Sequence, residues 1–195
     1  MGCMDYSPSA WPRRLLLASV AFVAVVISFY LALFEWQVIH TVWDPVFKNG
    51  TRNVLTSQLS HDFSKWIHIP DAFLGTLAYL ADVIFALIGS TKRWKTHPWL
   101  VIIFGISVIP VGIVSIILVA LQGLVVKSWC FLCFITASIS LILIFLAYAE
   151  VMASCRFLAT IHKMGSVSLA WKAFWGCPTQ ISESAAQSIL NREKK

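Results

Sequence analysis

Charge is what this sequence has least of. Only 12% of its 195 residues are Asp, Glu, Lys or Arg, where a soluble domain carries about 25%. Together with 58% hydrophobic residues, that deficit excludes an ordinary soluble domain and places the chain among membrane proteins. Cysteine is sparse too. The five cysteines are too few and too scattered for a disulfide scaffold, and their odd number leaves at least one thiol free or paired outside the chain. None occurs between Cys3 and Cys130. His40, His61 and His68 follow no zinc spacing, so no metal is expected. The net charge of +6 comes without a basic groove or interleaved aromatics, so no nucleic acid is expected. Lys and Arg stand instead between apolar runs and at the termini, as membrane flanks do. There is no internal repeat and no low-complexity tract.

What is present is a set of four apolar runs, each near the roughly 20 residues that a bilayer core requires. They extend over Leu15 to Phe34, Pro70 to Gly89, Pro98 to Val126 and Cys130 to about Ala149. Arg13-Arg14 before the first run could also open a signal peptide. That stretch is long for one and no small-x-small cleavage site follows, which favours an uncleaved helix. Pro70 and Gly89-Ser90 are start and stop signals for the second run, and Pro110 places a kink in the third. The expected fold is therefore an all-α integral membrane protein, a four-helix transmembrane bundle with an extracytoplasmic loop or half-helix cap. Residues 1–14 form a cytoplasmic segment, 15–151 the bundle with its outer loop at 35–69, and 152–195 a cytoplasmic amphipathic tail.

Loop charge sets the orientation. Arg13-Arg14, Lys92-Arg93-Trp94-Lys95, Arg156 and Lys163 fall on one side of four alternating helices, and that side is cytoplasmic by the positive-inside rule. The outer loop carries Trp36, Trp43, Trp66, Phe47 and Phe63, which suit packing on the bundle or the interface. Within it, Asn53 to Lys65 is expected to form a short amphipathic helix lying as a lid over the bundle. Arg156 to Trp175 reads as an interfacial helix, and Gln180 to Lys195 as frayed and solvated.

The chemistry concentrates in Cys130-Phe131-Leu132-Cys133. A dithiol in the first turn of a helix lies where N–H groups favour thiolate, and cysteines three apart share a face and can bridge. The pair reads as a redox-active disulfide at the outer, oxidising membrane surface. The competing reading is two small apolar residues in a packed helix.

Three features in order resemble the vitamin K epoxide reductase family. They are the CxxC at the outer end of the last bundle helix, the second-helix start Ile69-Pro70-Asp71-Ala72-Phe73-Leu74-Gly75, and Val54-Leu55-Thr56-Ser57 in the first loop. The resemblance covers roughly Leu15 to Ala149. It implies a four-helix bundle around a quinone of the ubiquinone or menaquinone type, capped by the first loop. It also implies that Cys133 meets the quinone and Cys130 accepts electrons from a thioredoxin-like or other dithiol protein on the extracytoplasmic side. Asp71, Phe73, Leu74 and Phe134 would form the quinone site. The multi-pass chain would then reside in a bacterial inner membrane, with lipid as its other partner.

The family's two first-loop relay cysteines are replaced here by Trp43, before Asp44, and Thr51, before Arg52. The tyrosine that some relatives carry past the CxxC is also missing, the run being Phe134-Ile135-Thr136-Ala137. The expected function is a membrane thiol:quinone oxidoreductase of a disulfide-forming pathway, passing electrons from a reduced partner through Cys130 and Cys133. The alternative is a redox-inert relative that binds a quinone or a partner protein. The other four-helix type of disulfide-forming enzyme would carry its CxxC in the first outer loop, which has no cysteine here. Two acids remain ambiguous. Asp71 is either a quinone contact or a carboxylate favoured by the helix dipole. Asp82 is either a functional intramembrane acid or a partner for Lys92 or Arg93. Gly75, Gly105 and Gly112 are expected to allow close helix packing.

The loop charges predict that both termini face the cytoplasm. Thiol-accessibility labelling in sealed, oriented vesicles checks this, and labelling of Cys155 or Cys177 from the outer side only would reverse the topology.

Overall fold

The computed structural model describes residues 9–48, 50–57, 69–177 and 179–193 and forms helices without any strand among them. The chain runs through α1 (Trp11–Glu35), α2 (Gly50–Leu55), α3 (Asp71–Leu87), α4 (Arg93–Thr96) and α5 (Pro98–Leu121). After a π-helical turn, Gln122–Val126, come α6 (Phe131–Met164), α7 (Val167–Phe174) and α8 (Gln180–Glu193). Among the described residues, three segments are long and apolar enough to cross a membrane: Trp11–Glu35, Pro98–Val126 and Phe131–Met164. With 17 residues, α3 is about 25 Å long and at the lower limit for a spanning helix.

The outward faces are as apolar as the inward ones. Phe22, Val26 and Phe29 on α1, Ile106, Ile113 and Ile117 on α5, and Leu141, Phe145 and Tyr148 on α6 are all exposed. Helices that are apolar all round belong in lipid, and the chain is an integral membrane protein. Its interior uses small residues. Ala18, Ala21, Ala24, Ser28 and Ala32 form one buried stripe of α1, against which α3 packs in the most extensive helix pairing of the fold. Gly105 and Gly112, one heptad apart on α5, leave no room for a Cβ against Val151 and Ile144 of α6. These two glycines set the α5–α6 separation, whereas Gly75 has ordinary space before Ser28.

The end opposite the CxxC is tied by charge, and here sequence expectation needs correction. Arg13-Arg14 lies inside α1 rather than ahead of it, and Arg14 is buried. Its guanidinium donates to the carbonyls of Ala86, Gly89 and Ile88, each at 2.8 Å. Arg93, expected in a solvated loop, is fully buried. It pairs with Glu150 at 2.5 and 2.7 Å and donates to the carbonyls of Phe85 and Ile88. Ser9 donates a further hydrogen bond to Glu150. These are the carbonyls a helix C-terminus leaves without partners.

Because Glu150 is neutralised, α6 does not stop near Ala149. It continues to Met164 and ends at Gly165, the first glycine or proline after the CxxC. At 34 residues it is about 51 Å long, well beyond a bilayer core of about 30 Å. The protruding turns carry a second core in which Trp94, Phe157 and Ile161 pack with Ala173, Ala185, Ala186 and Ile189. The expectation of a frayed, solvated segment from Gln180 is therefore corrected: α8 docks on α6. Its start is capped reciprocally, Ser182 N to Thr179 Oγ1 at 3.2 Å and Thr179 N to Ser182 Oγ at 2.9 Å.

Replacing Glu150 by Leu strands a buried guanidinium and is expected to cost about 3–5 kcal/mol. Adding Arg93→Met should recover part of that loss. Thermal unfolding of the single and double variants in detergent measures the coupling, and strictly additive losses would contradict it.

Candidate functional site

The loop after the π-helical turn reverses through Lys127, whose φ of 53° is left-handed, and delivers Cys130 as the N-cap of α6. Cys130 is extended at φ −99° and ψ 114°, and its sulfur accepts the Cys133 N–H at 3.1 Å. The two residues have a Cα–Cα separation of 5.2 Å and their sulfurs are joined as a disulfide. The CxxC spacing and the N-terminal turn together bring the sulfurs within bonding reach.

The two cysteines face different surroundings. Cys133 is half-buried and lines a cavity of about 530 Å³. Leu31, Leu74, Ala78, Val111 and Val114 give that cavity apolar walls, while Tyr79, Ser115, Thr136, Gln122 and Asp71 supply the polar groups. Tyr79 is buried, and its hydroxyl lies 2.6 Å from Ser140 Oγ, which lies 3.2 Å from Ser115 Oγ. The size and the mostly apolar lining with a few convergent polar groups suit a small aromatic ligand. Asp71 borders the cavity, and its Oδ1 accepts the Ala72 N–H at 2.9 Å in the first turn of α3.

Two residues expected in the quinone site lie elsewhere. Phe73 packs on Trp36, ring centroids 4.8 Å apart, and Phe134 packs between Trp129 at 5.3 Å and Phe47 at 6.3 Å. Both point away from the cavity wall. On α3 the wall is Asp71, Ala72, Leu74, Gly75, Ala78 and Tyr79, so Leu74 lies where the resemblance implied. The i, i+4, i+8 spacing of Asp71, Gly75 and Tyr79 is the sequence signal for Tyr79.

Cys130 is fully buried and is the less exposed of the pair. It lies in a small core with Leu31, Val54 and Leu132, and its N–H reaches Gln122 Oε1 at 3.2 Å. The covering element is α2, a lid helix that begins before the expected Asn53 to Lys65; residues 58–65 of that expectation lie outside the described residues. A Cβ on Gly50 would collide with the Trp129 carbonyl oxygen and with Phe47 Cβ, so glycine alone lets the lid approach this closely. Thr51 is fully buried, and its Oγ1 accepts the Phe131 N–H at 3.3 Å. Asp44 latches the lid, with Oδ2 accepting Thr51 N at 2.9 Å and Thr51 Oγ1 at 2.7 Å. Its Oδ1 accepts Phe47 N at 2.8 Å. Burial pushes the Asp44 carboxyl up, but the hydrogen bonds from Thr51, Phe47 and Val46 outweigh this and hold it below the usual aspartate value.

A family model described as the vitamin K epoxide reductase family matches residues 15–148 of this chain. No curated protein matches it, and no solved structure does.

The latch has a pH dependence of definite sign. A depressed carboxyl stabilises the closed lid above its unfolded value, about pH 4, and the contribution is lost as pH falls through the folded value. In reduced protein, Cys130 should therefore react slowly with a dithiodipyridine reagent at neutral pH and faster below about pH 4. Asp44→Asn should react fast at neutral pH. Mass mapping of Cys130 reads both effects, and a neutral-pH rate unchanged by Asp44→Asn would show that the latch does not hold the lid.

Proposed function

This chain belongs to the vitamin K epoxide reductase family, a membrane thiol–quinone oxidoreductase family, and from that premise we propose that it oxidises a dithiol protein and reduces a membrane quinone. The observation that carries the proposal is the asymmetry of the disulfide: Cys133 lines the apolar cavity while Cys130 is sealed beneath the loop lid. Family members typically use quinones, and the cavity fits one in size and lining. A bound quinone supplies the two-electron, two-proton acceptor. Leu74, Ala78, Val111 and Val114 would hold its ring, with Asp71 at the rim and Tyr79 and Ser115 at the base.

On the donor side, a partner thiolate attacks Cys130 Sγ and forms a mixed disulfide, and Cys133 leaves as a thiolate. The partner's second thiol then displaces Cys130, so the partner departs oxidised and the CxxC holds two more electrons. Helix N–H groups at the start of α6 stabilise the thiolates. Cys133 next gives those electrons up into the cavity, and the Cys130–Cys133 bond closes again. With Trp43 and Thr51 where the family has relay cysteines, exchange is direct, and α2 has to lift from Cys130 first.

The orientation belongs to the same proposal: the CxxC end faces the extracytoplasmic side of a bacterial inner membrane. The support is Lys92, Lys95, Arg156, Lys163 and Lys172 at the opposite end against Lys48, Arg52 and Lys127 near the CxxC. A second reading, a redox-inert member that binds quinone or a protein, draws on the complete burial of Cys130 and the absent relay. Reductant-dependent quinone turnover by purified protein separates the two.

Cys133→Ser should abolish that turnover and leave quinone binding nearly intact, because the sulfur contributes little wall area. Leu74→Asp should weaken binding by tenfold or more, about 1.4 kcal/mol, while Phe73→Gln, off the wall, should weaken it less. Titration of quinone followed by Trp fluorescence measures all three. Equal effects of Leu74→Asp and Phe73→Gln would move the ligand out of this cavity.

A further inference from the structure

Asp82 is fully buried in α3, yet it belongs to none of the charge pairs of the bundle. Its Oδ1 accepts the Ser107 hydroxyl at 2.8 Å, and its Oδ2 has no partner. The pairing with Lys92 or Arg93 weighed from sequence is not made, since Arg93 is taken by Glu150. Of the charged groups on the elements packed around it, Arg13 of α1 has a buried guanidinium nitrogen without a hydrogen-bond partner and makes no bond to Asp82. Arg14 of α1 is spent on carbonyls, Arg93 of α4 and Glu150 of α6 on each other, and α5 has no titratable side chain between Pro98 and Leu121. An unpaired carboxylate at this depth is expensive, whereas a carboxyl carrying a proton is tolerated.

Position gives that proton a destination. Asp82 lies one helical turn beyond Ala78 and Tyr79, and Ser107 one turn before Pro110 and Val111; all four are cavity wall. The Asp82–Ser107 pair is therefore the layer next to the cavity wall, and Tyr79, one turn away on α3, is a wall residue whose hydroxyl is hydrogen-bonded to Ser140 Oγ. We propose that Asp82 stores the proton that Tyr79 delivers to the base of the cavity, an inference that rests on the quinone reading above.

A quinone has carbonyls on opposite edges of its ring, so two donors at opposite ends of the cavity are needed. Closing the Cys130–Cys133 bond releases two electrons and two protons, and forming the quinol consumes two of each. One thiol proton passes from Cys133 to the near carbonyl, and the other leaves to water. Tyr79 protonates the far carbonyl, and Asp82 restores the Tyr79 proton through water admitted to the base of the cavity. Asp82 is refilled by water that enters when the quinol leaves, which closes the balance.

Asp82→Asn keeps the shape and removes the proton store. Wild-type kcat should fall as pH rises, while Asp82→Asn should be slower by roughly 10²-fold and flat with pH. Asp82→Glu should restore the pH dependence, which a merely structural role would not. Infrared difference spectra of the protein on quinone binding should contain a protonated-carboxyl band that shifts in heavy water and vanishes in Asp82→Asn. Turnover without an Asp82-dependent band, or with an unchanged pH profile in Asp82→Asn, would overturn the proton store alone. The band without any quinone reduction by wild-type protein would overturn the quinone reading and the donor role with it.

Discussion

The last carbonyls of α3 have no partners within their own helix, and in lipid no water replaces them. Two arginines from elsewhere in the chain supply the donors. Arg14 arrives from α1 and Arg93 from α4, and Glu150 of α6 cancels the second charge. This arrangement satisfies the open end of a 17-residue helix. It also couples α1, α3, α4 and α6 at one end, so the axial position of α3 is set there. Everything that α3 brings to the cavity, from Asp71 at the rim to Tyr79 at the base, is measured from that anchor.

The opposite end is organised by close approach rather than by charge. Gly50 allows α2 to touch the Trp129 backbone, and the Asp44–Thr51 hydrogen bonds hold it there. Aromatic pairs, Trp43 with Phe131 and Trp129 with Phe134, surround the contact. A small apolar cap of this kind has few buried contacts and a titratable latch, so it belongs to the parts of a fold that open most easily. The rigid anchor and the loose cap lie at opposite ends of the same helices.

The bundle was largely legible in the sequence because lipid-spanning helices announce themselves by run length, and the CxxC because two cysteines three apart have few uses. Gly105 and Gly112 were read correctly as packing residues. Arg14 and Arg93 differ from expectation for one reason: each, like Glu150, looks like a membrane flank when seen alone. Their burial depends on partners 72, 57 and 141 positions away, which no local pattern encodes. The same blindness ended α6 too early at Glu150 and left α8 as a solvated tail, although Thr179 and Ser182 already spelled a cap. In the site, periodicity was the neglected signal. Asp71, Gly75, Ala78 and Tyr79 lie on one helical stripe, whereas Phe73 and Phe134 were chosen for bulk and belong to the aromatic cap.

The disulfide is itself the partition between the two ends of the proposed reaction. A single bond joins a sulfur enclosed under the lid to one that borders the cavity. In the proposed reaction the electrons pass from one side to the other within a single turn of α6. The missing relay cysteines then matter only on the lid side. Thr51 occupies the matching position and uses its hydroxyl to fix the first turn of α6 through the Phe131 N–H. In the proposed reaction the donor has to displace α2 before it reaches Cys130, and because Val54 and Leu55 of α2 also line the cavity, that movement opens the cavity side as well.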